Sequence, residues 1–238
     1  MNVHLIITAA VVIIVVYLII WYFSSDSQKL ASLQNGNEGK LVPNSKLSGK
    51  NGSSNNYTYS IWFYVNDWNY RYGEDKVLFS RSSTDTNNNE EYYPKVSFAP
   101  MTNDINIKLS LYPNSNSTSV MTHTCTVKNF PLQTWVNLTI SLYGRSLDVY
   151  MNGKLVRTCV LPGIAKINPN ANVFLTPDGG FAGFTSKFEY FNSASNPQQA
   201  YNIYKDGYGG SILGNLFNKY RIRISFLESN KEKGGLEI

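Results

Sequence analysis

The chain has 238 residues, 42% of them apolar and 16% charged, with 21 Lys and Arg against 16 Asp and Glu for a formal charge of +5. That apolar content excludes wholesale disorder. Two Cys and two His exclude a disulfide-dense mini-scaffold and a Cys-built zinc cluster, and leave little for a His-built metal or catalytic centre.

Residues 1–23 form the first unit. Leu5 to Phe23 read LIITAAVVIIVVYLIIWYF, without a charge, which as a helix would span about 28 Å against a hydrocarbon core of about 30 Å. The spacing predicts a transmembrane helix. The apolar run exceeds the h-region of a cleaved signal peptide, and bulky Tyr22 and Phe23 stand where small residues precede a cut. Trp21 and Tyr22 are the interfacial aromatics of such a span. The lipid bilayer is therefore an expected partner, and a single-pass membrane protein the expected localisation. Lys29 and Lys40 follow the span and weigh slightly toward a cytosolic C-terminal domain, with Asp26 and Glu38 offsetting them.

Residues 24–56 contain the breakers NGNEG and GKNGSSNN and no sustained period, so they read as a polar tether with room for a short strand around Leu41 to Leu47. Its root-mean-square span would be roughly 30 Å. From Tyr57 the pattern turns apolar and aromatic at period two. Tyr57, Tyr59, Ile61, Phe63 and Val65 fall on one face and Thr58, Ser60, Trp62 and Tyr64 on the other, as in a half-buried strand.

Further strands are predicted at Lys76–Arg81, Pro94–Ala99, Ile105–Leu111, Met121–Val127, Trp135–Leu142, Leu147–Met151, Lys154–Leu161, Asn172–Thr176, Phe184–Tyr190 and Arg221–Leu227. Within Trp135–Leu142 the alternation turns Asn137, Thr139 and Ser141 outward. Asn152-Gly153 joins two alternating runs in LDVYMNGKLVRT, the signal of a type I′ hairpin. A second hairpin falls around Tyr143 to Ser146. One short helix is predicted in NPQQAYNIYKDG, with Asn196 as cap, Pro197 in the first turn and Gly207 closing it. The globular domain thus occupies 57–207, and 208–238 form an extension with one additional strand and a basic tail. Its cations Lys219, Arg221, Arg223, Lys231 and Lys233 are diluted by Glu228, Glu232 and Glu237, a pattern that points away from nucleic acid.

Three segments resemble the laminin-G-like, concanavalin A-like jelly roll. They are YSIWFYV, WVNLTISLYGRSLDVYMNGKLV and FAGFTSKFEYFNSASNPQQAYNIYKDG, and together they cover roughly residues 57 to 208. The chain departs from the family in carrying Met151 where Val is commoner and in its residues after Gly207. The resemblance implies an all-β sandwich of two antiparallel sheets behind the transmembrane helix, with a concave face that binds glycans or proteins. A membrane-tethered, Asn- and Tyr-rich, single-copy form of the domain is similar to membrane and minor capsid proteins of large double-stranded DNA viruses.

Some relatives in that family are glucanases, which need two carboxylates flanking the scissile bond, commonly as Glu-x-Asp-x-x-Glu. That spacing does not occur; Glu74-Asp75 and Glu90-Glu91 are adjacent pairs in polar sequence. No catalytic motif and no cofactor motif is present, so no enzyme activity and no cofactor are expected. The DGG at Asp178 to Gly180 reads as a turn and His123 as a strand residue. Calcium is compatible with the family, with Asp67, Asp104 and Asp178 as loop candidates that nothing ranks.

The candidate binding loop is NDWNYRYGED, which concentrates Trp68, Asn69, Tyr70, Arg71 and Tyr72, with Tyr92 and Tyr93 added from EEYYP. Aromatics beside amides and charges suit sugar stacking and equally suit protein hot spots or a plain cover for the sandwich end. Cys125 and Cys159 lie in strands flanking the hairpins, placed either as a disulfide or as two buried thiols. Sequons stand at Asn51, Asn56, Asn116 and Asn137.

The expected function is a non-enzymatic, membrane-anchored structural or interaction protein whose sandwich binds a neighbouring protein layer, as a viral minor capsid or inner-membrane protein would. The alternative is a membrane-anchored lectin that binds glycans. A glycoside hydrolase comes third, without a carboxylate pair to support it.

Overall fold

The computed structural model describes residues 27–47, 55–84, 89–113 and 119–209, helical positions at 11, 13–15 and 17, and the backbone of two strands at 223–228 and 231–237. Two seven-stranded antiparallel sheets pack face to face. The first has the order β1 (Gln28–Ala31), β14 (Ala182–Phe191), β4 (Tyr57–Asp67), β9 (Trp135–Tyr143), β10 (Ser146–Met151), β11 (Lys154–Val160), with β2 (Gln34–Asn35) also on β14. The second runs β3 (Lys40–Val42), β13 (Val173–Leu175), β5 (Lys76–Thr84), β6 (Glu90–Phe98), β7 (Ile105–Tyr112), β8 (Met121–Val127), with β12 (Ile164–Ala165) also on β7. The strands from β4 to β14 follow the alternation in the sequence except that β12 was not expected and β6 begins at Glu90 rather than Pro94. Within the sandwich domain one α-helix, α1, covers Pro197–Lys205 and is closed at its N-terminus by a capping box between Asn196 and Gln199.

The core is aromatic. Tyr59 lies between Phe79, Phe188 and Tyr190 with ring centroids 5.3, 6.0 and 5.0 Å away. Toward one end of the sandwich, Phe98 meets Phe63, Phe130 and Phe181 at 5.2, 4.7 and 5.1 Å. Such pairs add roughly 0.5–1.5 kcal/mol each beyond their buried area.

The tether expected over 24–56 is corrected by the fold, because 27–47 belong to the sandwich. β1 and β2 pair with β14, and β3 pairs with β13, at sequence separations no local pattern reveals. Leu30, Ala31 and Val42 are buried in the core. The strand expected around Leu41 to Leu47 ends at Val42; a single 3-10 turn, Asn44–Leu47, follows Pro43.

The half-buried reading of the central strands is also corrected. Thr58, Ser60, Trp62, Asn137, Thr139 and Ser141 face away from the inter-sheet core and are nevertheless buried. α1 and the segment before it cover that face. Trp62 stacks on Tyr204 at 5.6 Å, Trp135 on Tyr208 at 4.6 Å, and Ser141 and Thr58 donate to the carbonyls of Ser195 and Ser193. Asn137 donates to Ser60 Oγ at 3.1 Å, so its sequon is shut inside the fold.

Two glycines permit close approaches. Gly153, at φ +73 in the Asn152-Gly153 turn, lets α1 settle on the hairpin; a Cβ there would come within 3.0 Å of Tyr204 Cβ. Gly183, at φ +154, lies at an irregularity in the pairing of β14 with β4, where a Cβ would fall 1.9 Å from the Tyr64 carbonyl oxygen.

Cys125 on β8 and Cys159 on β11 are joined as a disulfide. It ties the outer strand of one sheet to the outer strand of the other and so closes one side of the sandwich. In the chain-entropy account a loop of this length contributes about 4 kcal/mol. The C-terminal extension contains two strands rather than the one expected, β15 (Arg223–Glu228) and β16 (Lys231–Glu237), paired with each other. Leu5, Trp21, Tyr22 and Phe23 lie outside the described residues, among which no helix is long and apolar enough to cross a membrane.

A chain beginning at Tyr57 is expected not to fold, since it leaves one edge of each sheet, and the core side chains beneath, uncovered. Circular dichroism and thermal melting of 57–209 beside 27–209 check this, and a cooperative transition of similar midpoint for both would refute it.

Candidate binding site

The Asn66–Asp75 loop leaves the end of β4 and returns into β5. Its members do different things. Trp68 is half-buried, its ring 5.8 Å from Phe130 and 6.3 Å from Phe98, with the Lys76 ammonium 4.5 Å over its face. Lys76 is buried, its pKa is lowered by that burial, and its Nζ lies 3.5 Å from the carbonyls of Glu74 and Pro100. Tyr70 and Arg71 are struts. The Tyr70 hydroxyl donates to the Gly179 carbonyl at 3.0 Å, and the Arg71 guanidinium donates to the carbonyls of Asp178 and Gly180 while pairing with Glu74 at 2.8 Å. The DGG turn therefore presents its carbonyls to the loop. Asn69 folds back to Asp67 through its N–H, and Tyr72 is exposed.

Tyr92 and Tyr93 do not join this loop, contrary to the grouping expected from sequence. They sit on β6, Tyr92 opposite Ser82, toward the end of that strand remote from Phe98, on which Trp68 rests. Tyr93 is buried, with its hydroxyl on Glu91 and Ser83, and Glu91 is ion-paired to Lys166 at 2.5 Å. Tyr92 donates to Glu90 at 2.8 Å; desolvation first, then the Glu90 carboxylate, pushes its pKa up to about 12. Glu90 and Glu91 thus serve different tyrosines.

The residues that do converge with Trp68 come from two other loops. Met101, Thr102, Asn103 and Asp104 precede β7; Lys128, Asn129 and Leu132 follow β8; with Trp68 they line an open depression of about 580 Å³. Its floor is preorganised by hydrogen bonds. Asp104 accepts from Thr102 Oγ1 at 2.9 Å and from the Asn129 N–H at 3.0 Å, while Asn103 donates to the Phe130 carbonyl at 2.8 Å. Asn129 sits at φ +59, a conformation that Asn tolerates better than most residues. Met101 is 66% exposed and Leu132 37%, and they stand among the exposed Thr102, Lys128 and Asn129, with Asn103 and Asp104 half-buried between them. Of these residues the sequence offered only Asp104, as an unranked calcium candidate; the rest lie in short loops without a pattern of their own.

Asp67 ends β4 and Asp104 and Asp178 stand in two separate loops, and among the described residues no group of three or more His, Cys, Asp or Glu is placed to hold a metal. His123 lies half-buried on β8 opposite Leu109. Asn56 accepts from the Gly144 N–H at 2.9 Å; Asn51 and Asn116 lie outside the described residues.

An aromatic beside a fixed amide, a carboxylate and a lysine, in an open sandwich-end depression, is a binding constellation. Residues 35–201 match the family described as the concanavalin A-like lectin/glucanases superfamily, a laminin-G-type domain. The chain belongs to that superfamily, and the match begins before Tyr57, in agreement with the N-terminal strands.

Among solved structures the chain is similar to the binding domain of botulinum neurotoxin serotype G, at 14% identity and a TM-score of 0.50, covering 73% of this chain and 46% of that one. The receptor-binding domain of the mosaic serotype C/D neurotoxin gives 13% and 0.53, over 77% and 45%. The serotype D ligand-binding domain, solved in complex with N-acetylneuraminic acid, gives 14% and 0.50, over 76% and 42%. This chain thus spans less than half of each of those chains, and at such identity they share the fold alone. No curated protein matches the sequence.

Proposed function

We propose that this protein is a non-enzymatic binding protein of lectin type, anchored in a membrane by residues 5–23, whose sandwich presents the Trp68 depression to a saccharide. The observation that carries the reading is the convergence of three loops on one half-buried tryptophan, with Asn103, Asp104 and Asn129 fixed beside it. A sugar ring stacks on an indole through its C–H face while its hydroxyls bond to neighbouring amides and carboxylates. The binding of N-acetylneuraminic acid by a protein of like fold is consistent with this reading.

Trp68→Ala is expected to lower saccharide affinity at least tenfold and leave the fold intact, since the ring lies at the edge of the core. A glycan array read beside thermal melting checks it. Unchanged array binding by a folded Trp68→Ala variant would remove the depression as the site.

The disulfide supports placing the sandwich on the oxidising side of the membrane, against the slight cytosolic bias of Lys29 and Lys40. In sealed membranes carrying the full chain, the sandwich is expected to resist added protease until detergent opens them. Digestion without detergent would put it in the cytosol.

A protein partner, the setting of a structural layer in a virion with an internal membrane, is favoured by a different observation. β11 is an outer strand and exposes Leu155, Val156 and Val160. Outer strands with exposed apolar side chains are sites of strand-to-strand association. Val160→Lys is expected to abolish crosslinking of a photoreactive group at position 158 to neighbouring protein in the native membrane, and undiminished crosslinking would exclude this edge.

A further inference from the structure

The N-terminal strand makes the link between the apolar run and the sandwich short. That run ends at Phe23 and β1 begins at Gln28, five positions later. Register fixes where the chain enters. Gln28 pairs with Tyr190, Tyr190 with Tyr59 and Tyr59 with Ile140, so Gln28 lies level with Ile140 on β9. From there β1 runs toward Ala31, opposite Phe188, and away from the end of the sandwich at which β9 finishes in Tyr143. The chain thus enters β1 from the Tyr143 end. Five residues span at most about 17 Å, and Tyr143 lies three residues, about 10 Å, beyond the level of Ile140. Phe23 can therefore project no more than about 7 Å past that end of the sandwich, whereas the interfacial layer on each side of a bilayer is itself about 5–7 Å thick.

That end carries the groups an interfacial layer accepts. Tyr143, at the β9–β10 hairpin, is 69% exposed. In the second sheet β7 starts opposite Phe98, beneath Trp68, and finishes in Leu111 and Tyr112, which pair with Met121 and Ile164; these too are exposed. Arg145, exposed in the hairpin, makes no ion pair among the described residues, and its Nε donates to the Leu161 carbonyl at 3.1 Å. The carboxylates nearby are engaged, Glu90 by the Tyr92 hydroxyl, Glu91 by Lys166, Asp148 by the Thr158 hydroxyl and Glu189 by that of Ser27. The hairpin tip is held from both sides, since the Gly144 N–H donates to Asn56 at 2.9 Å and the Leu161 N–H to the Arg145 carbonyl at 2.8 Å.

We propose that the sandwich stands end-on against the bilayer, with Tyr143, Arg145, Met121 and Ile164 forming a second membrane contact; this rests on the anchoring by residues 5–23 put forward above. A tyrosine ring settles at headgroup level, its apolar body toward the acyl chains and its hydroxyl in water, as do the tips of Met121 and Ile164 beside it. Arg145 adds attraction to anionic headgroups. One span by itself leaves a domain free to swivel, and a second contact fixes its direction. β4 runs 11 residues, about 36 Å, from Tyr57 at this end to Asp67, so the Trp68 depression is held at the far end and faces away from the lipid. A ligand there is reached across the aqueous gap rather than from the protein's own membrane.

The test is photocrosslinking of the full chain in liposomes of phosphatidylcholine and phosphatidylserine, with a photoreactive phenylalanine analogue replacing Tyr143, Ile164 or Met101 in turn. All three positions are exposed, so the substitutions spare the core. Positions 143 and 164 are expected to give at least tenfold more lipid adduct than position 101, beside the Trp68 depression. Arg145→Gln is expected to lower the adduct at 143 severalfold in these liposomes and to change little in phosphatidylcholine alone. A flexible Gly-Ser insert between Asp26 and Ser27 is expected to lower it severalfold without altering the melting temperature, because the short link is what presses this end to the lipid. Alkaline carbonate separates the two readings. A chain that resists extraction yet gives no more adduct at 143 and 164 than at 101 overturns the end-on contact alone, and a chain that carbonate extracts removes the anchor and this contact with it.

Discussion

The contact on which the rest of the molecule depends is the aromatic cluster of Phe63, Phe98, Phe130 and Phe181 at one end of the inter-sheet core. Phe63 comes from the first sheet and Phe98 from the second, whereas Phe130 and Phe181 come from connecting segments. Once these rings interlock, the chain before and after each is fixed. Phe130 holds 128–132 in place, and its N–H and carbonyl are bonded by the Asn103 backbone and side chain. Trp68 closes over Phe98 and Phe130 from outside. The depression is therefore an outgrowth of core packing, and its polar floor is as rigid as the rings beneath it.

A second constraint shapes the opposite surface. The first sheet is covered on both faces, by the second sheet on one side and by α1, 192–195 and Tyr208 on the other. This cover requires small polar side chains, Thr58, Ser60, Asn137, Thr139 and Ser141, beneath backbone and ring. Several are used as hydrogen-bond partners in a dry layer, where such bonds are strong and their loss costly. Among the described residues the second sheet carries no such helix on its outer face, where Leu41 and Phe174 stay exposed while Ser80, Ser97 and Ser110 are buried.

The two Cys fit the same scheme. β8 and β11 are the outer strands on one side, and the bond between them ties the two sheets together there. On the other side β1, β2 and β3 serve that purpose by hydrogen bonding to β14 and β13. One side is closed covalently and the other by returning chain.

The strands from Tyr57 to Phe191, the Asn152-Gly153 hairpin and α1 were legible in the sequence because each is specified by neighbours a few residues apart: a period of two, a turn dipeptide, a cap and a closing glycine. The family likeness was legible for the same reason, being carried by short segments in order. The N-terminal strands were not, since Gln28–Ala31 and Lys40–Val42 are too short to show a period and acquire their identity from partners more than 130 residues away. Alternation predicted that Asn137 and Ser141 turn away from the core, and they do; that they meet Ser60 and Ser195 instead of water depended on where a later helix came to rest. Trp68 was legible as a binding candidate, whereas the gathering of Asn103, Asp104, Lys128 and Asn129 around it and its separation from Tyr92 were decided by sheet register and core packing. Sequence fixes what each segment prefers to be, through local sterics and periodicity, and only the closed core determines which distant segments share a surface.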